Sequence, residues 1–311
     1  SMVRDTLSTF GTNAFGALLG IVGSLVILNK MDPGVKGLYN QVQTWGEGFF
    51  TCFGFSLNSA IIYYVARYKI KNTKAAIKKL TVVVGAALIA LSAVTLVVLT
   101  TAGKNLSWQP FTNTPWPYLV CIVIYAGCSF LFNILMGVLR GENKFNAYNI
   151  INLIQKIAST AFSVLALVWP TAALQVGSAI GITLALSVMA YFCARRWNGA
   201  PEEPASEDDI IVPAKPIFKY GLKAYASNMM TYINTNVGNY VIQGQYGLVQ
   251  FGLYNTAFTI MRQVWILPEA VGMVITSRVA AMQNDDDKSR ITQLSCKIVM
   301  YITVVCAFLI V

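Results

Sequence analysis

The sequence contains no histidine, and only 12% of its 311 residues are charged. A typical soluble domain carries roughly 25% charged residues, so this composition argues against an ordinary soluble protein. The absence of histidine removes the commonest metal ligand and the usual general base. The six cysteines lie in or beside apolar segments without CxxC spacing, so we expect them to be small hydrophobic residues. The sequence therefore predicts neither a metal site nor a catalytic centre.

Long apolar segments make up most of the chain, which is 56% hydrophobic with a mean hydropathy of +0.57. Because a helix of about 20 apolar residues crosses a bilayer, repeated runs of this length predict an all-α polytopic membrane protein. No cleavable signal peptide is visible, since the first apolar run is too long and more runs follow. The predicted membrane spans are residues 8–29, 38–65, 80–102, 116–139, 147–169, 172–194, 217–243, 252–280 and 292–311.

The distribution of lysine and arginine predicts that the N-terminus is cytoplasmic. With that orientation the inner segments hold 18 of the 23 lysines and arginines, whereas the outer segments hold only Lys30, Lys36 and Lys104. Cytoplasmic loops of membrane proteins carry this kind of excess. The remaining two, Lys156 and Arg262, fall inside predicted spans. The net charge of +10 thus reports membrane orientation, and we expect no nucleic-acid partner.

The segment GLYN occurs at residues 37–40 and again at residues 252–255, an offset of 215 residues. Six predicted spans separate the copies, so both copies have the same orientation, and we expect the two helices to face each other. This pattern predicts two six-helix lobes related by a parallel repeat. The chain ends inside an apolar run, so the second lobe is expected to be truncated. The predicted domains are an N-terminal lobe (1–195), a cytoplasmic linker (196–216) and the first three helices of the C-terminal lobe (217–311).

Three charged residues fall near the middle of predicted spans: Glu47, Lys156 and Arg262. Glu47 lies nine residues after Leu38, Arg262 nine after Leu253 and Lys156 nine after Ala147, which is about 14 Å along a helix in each case. An uncompensated charge at this depth costs at least ~2.5–3.5 kcal/mol, so each is expected to face a cavity or a partner. Glu47 and Arg262 are also related by the offset of 215. Either they form a salt bridge that closes the empty cavity, or Arg262 and Lys156 hold an anionic substrate while Glu47 binds a proton or an ion.

Polar residues recur at helical spacing along the second, fifth, seventh and eighth spans. Such stripes join helices through hydrogen bonds or line a water-filled cavity, and three midplane charges favour the cavity. Pro268 lies in the eighth span and predicts a kink that is a candidate hinge. The third, sixth and ninth spans are almost purely apolar and are expected to face lipid. The candidate substrate-binding residues of the cavity are Arg262, Lys156, Glu47, Asn40, Asn58, Asn152, Asn228, Asn239 and Glu269.

Three segments together carry a resemblance to a known family. They are GLYN at residues 37–40, LRGENKFNAYNIINLIQK at residues 139–156, and residues 218–272, which begin FKYGLKAYASNMM and end ILPEAVG. In their order and spacing they resemble the polysaccharide-flippase branch of the multidrug/oligosaccharidyl-lipid/polysaccharide exporter superfamily. The likeness covers essentially the whole chain. It implies a V-shaped pair of six-helix bundles, a central cavity and alternating access, in proteins of 12 to 14 spans.

The resemblance implies a transporter of the bacterial cytoplasmic membrane rather than an enzyme. Its substrate would be an undecaprenyl-pyrophosphate-linked oligosaccharide or polysaccharide precursor, whose pyrophosphate contacts cavity cations. Arg262 and Lys156 are the candidate cations. No cofactor is expected, and coupling to a proton or sodium gradient stays open because Glu47 departs from a purely cationic cavity. The lipid bilayer is a further partner, as are a glycan polymerase or glycosyltransferases of the same pathway.

Two other functional classes compete with a flippase. A drug/cation antiporter of the same superfamily is the alternative, but it needs a buried acid on the first span, which has none after Asp5. A membrane glycosyltransferase would need acidic or histidine catalytic groups near a loop. The acidic clusters, at residues 202–209 and 285–287, lie in flexible-looking polar stretches. The sequence therefore favours the flippase.

Overall fold

A computed structural model describes the greater part of the chain, and every regular element in that part is an α-helix. The described residues are 11–12, 15–16, 18–20, 23, 32–102, 109–111, 114–142, 144–165, 168–196, 212–262, 293, 296–297 and 300. The longer helices are α1 (Pro33–Phe53), α2 (Leu57–Ala102), α3 (Trp116–Gly141), α4 (Phe145–Leu165), α5 (Ala172–Arg196) and α6 (Ala214–Arg262). The prediction of a helical fold is confirmed for these residues.

Three described segments are long and apolar enough to cross a bilayer: Asn72–Thr101, Trp116–Gly141 and Ala172–Ala194. A fourth is present if the bent pair Pro33–Phe53 and Leu57–Tyr68 forms one span. These four correspond to the predicted third, fourth, sixth and second spans. Helix α4 and both parts of α6 lie where the fifth, seventh and eighth spans were predicted. The complete set of nine spans and the two six-helix lobes stay predictions.

The predicted second span is two helices rather than one continuous helix. Helix α1 ends at Phe53, and the next helix begins at Leu57 with an axis bent by 57°. Between them, Phe55 and Ser56 have φ angles of 48° and 49°. A right-handed helix cannot continue through left-handed residues, which explains the break. The break interrupts the polar stripe of this span at residues 54–56. The two parts of the stripe therefore lie on helices that run in different directions.

The first and later parts of helix α2 pack against α3 in opposite directions. A Cβ on Gly137 would contact the amide of Asn58, and one on Gly141 would lie 2.7 Å from Val65 Cβ. Further along α2, a Cβ on Gly85 would lie 3.2 Å from Phe130 Cε1. The first part of α2 therefore runs with α3, and its later part runs against it. The two parts occupy the places of separate membrane spans, as the sequence predicted.

Helix α6 is a helical hairpin that turns at Gly247, whose φ is 79°. Asn255 Nδ2 donates a hydrogen bond to Asn239 Oδ1 at 3.3 Å, and a Cβ on Gly238 would lie 2.5 Å from Tyr254 Oη. These pairs are nearly symmetric about Gly247, so the two halves run antiparallel. A positive φ is the conformation that glycine adopts at little cost. The predicted seventh and eighth spans are thus joined by a very tight turn.

Two apolar clusters hold the helices together. The larger cluster is built mainly on α1, α2 and α3 around Trp45, Ile61 and Ile122. The smaller cluster joins α3, α4 and α5 around Leu139 and Ile151. Large aliphatic residues remain exposed on the other face of α2, as expected of a surface that contacts lipid. They are Val82, Val83, Val94, Val97 and Val98.

Candidate functional site

The described helices enclose a cavity of about 400 Å³. Its walls come from α1, α3, α4, α5 and the second half of α6, together with two glycines that precede α1. A volume of this size lies within the range of small-molecule binding sites. Hydroxyl and amide side chains dominate the lining, so the cavity is suited to a hydrogen-bonding ligand rather than to an apolar one. They include Tyr39, Gln43, Tyr125, Gln155, Ser159 and Thr259.

The cavity contains three charged side chains among its described lining residues: Glu47, Lys156 and Lys36. Glu47 is the only exposed residue of α1, and it is exposed to this cavity. Lys156 enters from α4, and a Cβ on Gly16 would lie 3.1 Å from its Cγ. Glu47 and Lys156 therefore face the same cavity, as expected from their predicted depth. Two cations and one carboxylate leave the described lining with a net positive charge.

Lys36 is a component of the cavity that the sequence did not predict. Its side chain is only 7% exposed. Its Nζ is buried without a hydrogen-bond partner among the described residues, and so is Nδ2 of Asn40. Both groups are donors, and a buried donor without an acceptor is costly. This end of the cavity therefore offers two unsatisfied donors to a ligand.

The start of α1 explains how these donors reach the cavity. Oδ1 of Asp32 accepts a hydrogen bond from Gly34 N at 2.8 Å and caps the helix. Because the helix begins at Pro33, Lys36 lies within its first turn rather than in a loop. Lys36, Asn40 and Glu47 then share one face, since their spacing of four and seven residues matches the helical repeat. The sequence analysis places Lys36 in an outer segment, and its spacing from Asn40 and Glu47 is the signal that it belongs to the helix.

Helix α5 supplies a polar wall that the sequence analysis also missed. The sixth span was expected to face lipid, but Gln175, Ser178 and Thr183 line the cavity. That expectation is wrong for this face, while Val188 and Phe192 remain exposed at 55% and 58%. The signal was the recurrence of three polar residues within about two turns of helix, which a high average hydropathy concealed.

A second cavity of about 320 Å³ lies beyond the break between α1 and α2. Its described lining includes Thr51, Asn58 and Asn133, and from α6 Asn228 and Thr235. Asn40 and Glu47 thus line the larger cavity, whereas Thr51 and Asn58 of the same predicted polar stripe line the second one. The described lining of this second cavity is polar but uncharged, in contrast to the first.

Asn228 connects α6 to the broken span. Its Nδ2 donates hydrogen bonds to Ser56 Oγ at 2.9 Å and to Ser59 Oγ at 3.3 Å. Nearby, a Cβ on Gly221 would lie 2.9 Å from Phe55 O, so α6 packs closely against the break. Asn228 therefore both lines the second cavity and holds the break in place.

Two tyrosines of α6 pack against α1, between the residues of α1 that line the larger cavity and those that line the second cavity. Tyr232 Oη and Tyr240 Oη lie 3.1 Å and 3.0 Å from Thr44 O and 2.7 Å from each other. A Cβ on Gly48 would contact Tyr240 Oη directly. The lack of a side chain at Gly48 therefore allows the tyrosine hydroxyls to reach the backbone of α1.

Two other predicted binding residues have different surroundings. Asn239 is 3% exposed, and it bonds to Asn236 and Asn255 within the α6 hairpin. Asn152 is half-buried on α4 and is not part of the described lining of either cavity. The contacts of Asn239 are those of a residue that joins two helices. A binding role for either residue stays a prediction.

The remaining predicted residues lie largely outside the described part of the chain. Arg262 is the last residue of α6, and its side chain is not among the described ones. It follows Thr259, a cavity residue, by three positions and so lies on the same face of the helix. Pro268 and Glu269 are outside the described residues. The proposed hinge and the pairing of Glu47 with Arg262 therefore stay predictions.

Helices α1 and α6 cross at the two GLYN segments. A Cβ on Gly252 would contact Pro33 O and would lie 3.0 Å from Gly37 N. A Cβ on Gly37 would collide with the carbonyl oxygen of Leu248. The prediction that the two GLYN helices face each other is confirmed at this crossing, which forms one end of the larger cavity.

Residues 109–111, between α2 and α3, form hydrogen bonds with the same end of α1 and α6. Nε2 of Gln41 and Nε2 of Gln243 each donate a hydrogen bond to Pro110 O at 2.9 Å. Trp45 Nε1 donates to Gln243 Oε1 at 2.8 Å, which links α1 to α6 through buried side chains. Gln109 N also donates to Gly244 O at 2.9 Å. This end of the two helices is thus closed by both backbone contact and a buried hydrogen-bond network.

The described residues contain no group of three or more cysteine, aspartate or glutamate side chains arranged to hold a metal ion. The described cysteines Cys52, Cys121, Cys128, Cys193 and Cys296 are free thiols. The described side chains that line the two cavities carry ammonium, carboxylate, amide and hydroxyl groups, which can bind and orient a ligand.

A family model described as "Polysaccharide biosynthesis protein" matches residues 2–276 of the chain. Searches among curated proteins and among solved structures gave no match. The matched residues include both GLYN segments, all six helices and both cavities. Together with the apolar helices, this match identifies a helical membrane protein. Because the match covers most of its length, the chain belongs to the polysaccharide biosynthesis protein family.

Proposed function

We propose that this protein is a flippase of the bacterial cytoplasmic membrane. It moves an undecaprenyl-pyrophosphate-linked oligosaccharide or polysaccharide precursor from the inner to the outer leaflet by alternating access. The proposal agrees with the family of the chain, whose description concerns polysaccharide biosynthesis. A glycan polymerase or glycosyltransferases of the same pathway would supply or consume this substrate.

The observation that supports this function most is the charge and polarity of the larger cavity. Lys36 and Lys156 supply two ammonium groups, and the rest of the lining is rich in amides and hydroxyls. Ammonium groups bind phosphate oxygens, while amides and hydroxyls bind the hydroxyl groups of sugars. A pyrophosphate attached to a saccharide presents both kinds of group on one molecule.

The closed end of the helices supports a transport cycle. In the predicted orientation, the crossing of Gly37 and Gly252 lies on the outer side of the membrane. The second cavity then lies towards the cytoplasm, beyond the break in the second span. The structure would represent a conformation closed to the outside, and separation of α1 from α6 would open the larger cavity outward. Alternating access depends on rigid helices that can switch between two packing arrangements, and the crossing of α1 and α6 would be such an element.

Glu47 keeps a drug/cation antiporter as the second candidate, because a carboxylate exposed in a cavity attracts cations. The two lysines in the same cavity oppose the binding of a cationic drug, and the flippase accounts for all three charges. In the flippase, Glu47 is the site at which a proton or sodium ion would couple the gradient to transport. No bound cofactor is needed for either function.

The test is a transport assay with the full-length protein in vesicles that contain a fluorescent undecaprenyl-pyrophosphate-linked oligosaccharide. We expect Lys156→Gln to slow translocation at least about tenfold, since it removes a charge-assisted contact to phosphate. Lys78→Gln is the matched control, because Lys78 is an exposed lysine of α2 outside the cavities, and its loss should leave the rate unchanged. Normal translocation by Lys156→Gln would refute the site, and uptake of a cationic drug without saccharide transport would establish the antiporter.

A further inference from the structure

The ammonium group of Lys36 is buried, and its residue adjoins the crossing of α1 and α6. Lys36 precedes Gly37, whose backbone is in contact with the second half of α6. Its side chain is 93% buried, since only 7% is exposed, and its Nζ has no hydrogen-bond partner among the described residues. A lysine is almost never buried in a protein without a paired group. A buried ammonium group without a partner beside the closed crossing is therefore a candidate binding group for an anion.

Asn40, on the next turn of the helix, is a second buried donor that lacks an acceptor. It lies four residues after Lys36, on the same face of α1, and its side-chain Nδ2 is buried without an acceptor. Asn40 is 6% exposed and lines the same cavity as Lys36. An ammonium and an amide N–H on successive turns that line one cavity match the oxygens of a carboxylate or a phosphate.

We propose that Lys36 and Asn40 form an oxyanion-binding position that holds its ligand only while α1 and α6 are crossed at Gly37 and Gly252. This position is distinct from Lys156, because Lys36 and Asn40 lie on α1 whereas Lys156 lies on α4. The inference rests on the proposed function, in which the oxyanion belongs to the transported saccharide or to its pyrophosphate. Separation of the helices would hydrate the ammonium group and release the anion to the outside.

Anion binding and the crossing of α1 and α6 should stabilise each other. An anion that binds the crossed form in preference to the separated form must stabilise the crossing by the same free energy. Bound oxyanion should therefore raise the melting temperature of the protein, and a substitution that weakens the crossing should weaken anion binding without touching Lys36 or Asn40. This coupling would make release at the outer side depend on the helix movement.

The first experiment measures binding of inorganic pyrophosphate and, separately, of D-glucuronate to the purified full-length protein in nanodiscs. Both probes are titrated calorimetrically into the wild type, Lys36→Gln and the control Lys78→Gln. We expect Lys36→Gln to weaken the better probe at least about tenfold and the control to bind as wild type. The better probe identifies the source of the oxyanion. Equal binding by Lys36→Gln, or no binding of either probe to wild type, would overturn the proposal.

Asn40→Asp provides a second variant that should fold even if Lys36→Gln does not. The new carboxylate can pair with Lys36 within the helix, so the anion-free protein should melt at a higher temperature than wild type and should no longer bind the probes. Unchanged stability and unchanged binding would show that Lys36 has no need of an anion.

Gly37→Ala tests the coupling to the crossing, because its added methyl group faces Leu248 O rather than the anion site. We expect weaker probe binding, and wild-type affinity would contradict the coupling. The vesicle transport assay separates this inference from the proposed function. Transport of the saccharide with probe binding independent of Lys36 rejects the anion site alone. Probe binding that depends on Lys36, without saccharide transport, retains the site and rejects the flippase.

Discussion

Gly37 and Gly252 occupy the same place in the two GLYN segments, and their backbones are in direct contact. A Cβ on Gly252 would lie 3.0 Å from Gly37 N and 3.3 Å from Gly37 Cα. Side chains at these positions would hold the two helices apart, so the close approach depends on glycine. Lys36, the residue before Gly37, is buried beside this crossing, so a charge of the cavity adjoins the point of closest helix packing.

Gly37→Ala should destabilise the protein by about 1–3 kcal/mol, because the new methyl group collides with the carbonyl oxygen of Leu248. The free energy of unfolding can be measured by denaturant titration in mixed micelles. Gly177→Ala is the control, since a Cβ on Gly177 of α5 meets nothing within 4 Å. It should be neutral or stabilising by about 0.5–1 kcal/mol through helix propensity. Equal effects of the two substitutions would show that the crossing is not tightly packed.

The hydrogen bond between Trp45 and Gln243 should couple α1 to α6 energetically. We expect Trp45→Phe and Gln243→Leu each to lower the free energy of unfolding by about 1–3 kcal/mol, since each leaves a buried partner unsatisfied. The double variant should lose less than the sum of the two, with a coupling of about 0.5–3 kcal/mol. Additive losses in the double-mutant cycle would mean that this bond does not link the helices.

Ser56 and Ser59 both accept a hydrogen bond from Asn228, but they differ in backbone conformation. Ser56 has a φ of 49°, a region that costs a non-glycine residue about 1–2 kcal/mol. Ser59 lies within helix α2, where glycine costs roughly 0.5–1 kcal/mol. Ser56→Gly should therefore be more stable than Ser59→Gly by about 1–3 kcal/mol in a thermal or denaturant melt. The opposite order would indicate that the break between α1 and α2 is held by the Ser56 side chain.

Exchange of the charges of Glu47 and Arg262 distinguishes a gate from a substrate site. We expect Arg262→Ala to insert normally but to stop transport, and we expect Glu47→Arg combined with Arg262→Glu to stay inactive. The reason is that Lys36 and Lys156 share the cavity with Glu47, so the exchange places a third cation beside them. Transport is measured in vesicles, with the amount of inserted protein as the control. Recovery of transport in the double variant would instead establish an isolated salt bridge that acts as a gate.

Several features of the site were predictable because they follow from local chemistry. A charge in an apolar helix has to face a cavity or a partner, and Glu47 and Lys156 do line one cavity. The repeated GLYN segment predicted that two distant helices face each other, and Gly37 and Gly252 are in contact. These inferences needed only the energetic cost of charge in lipid and the recurrence of a short motif.

Other features escaped the sequence analysis because they depend on neighbours that are distant in the chain. The break at Phe55 and Ser56 has no proline, and it is packed against Gly221 and Asn228 of α6. The polar wall of α5 lies within a span whose average hydropathy is that of a lipid-facing helix. In both cases tertiary contacts override the local pattern.

The sequence by itself determined that the chain forms apolar helices and that a few charges lie among them, because burial of an isolated charge in lipid is costly. Only the tertiary structure decided which charges share a cavity. Lys36 lies in the first turn of α1 and is buried next to the crossing of Gly37 with Gly252, whose backbones approach only because neither carries a side chain. Whether a lysine is hydrated or buried depends on which helix packs over it, and that packing is a property of the folded chain.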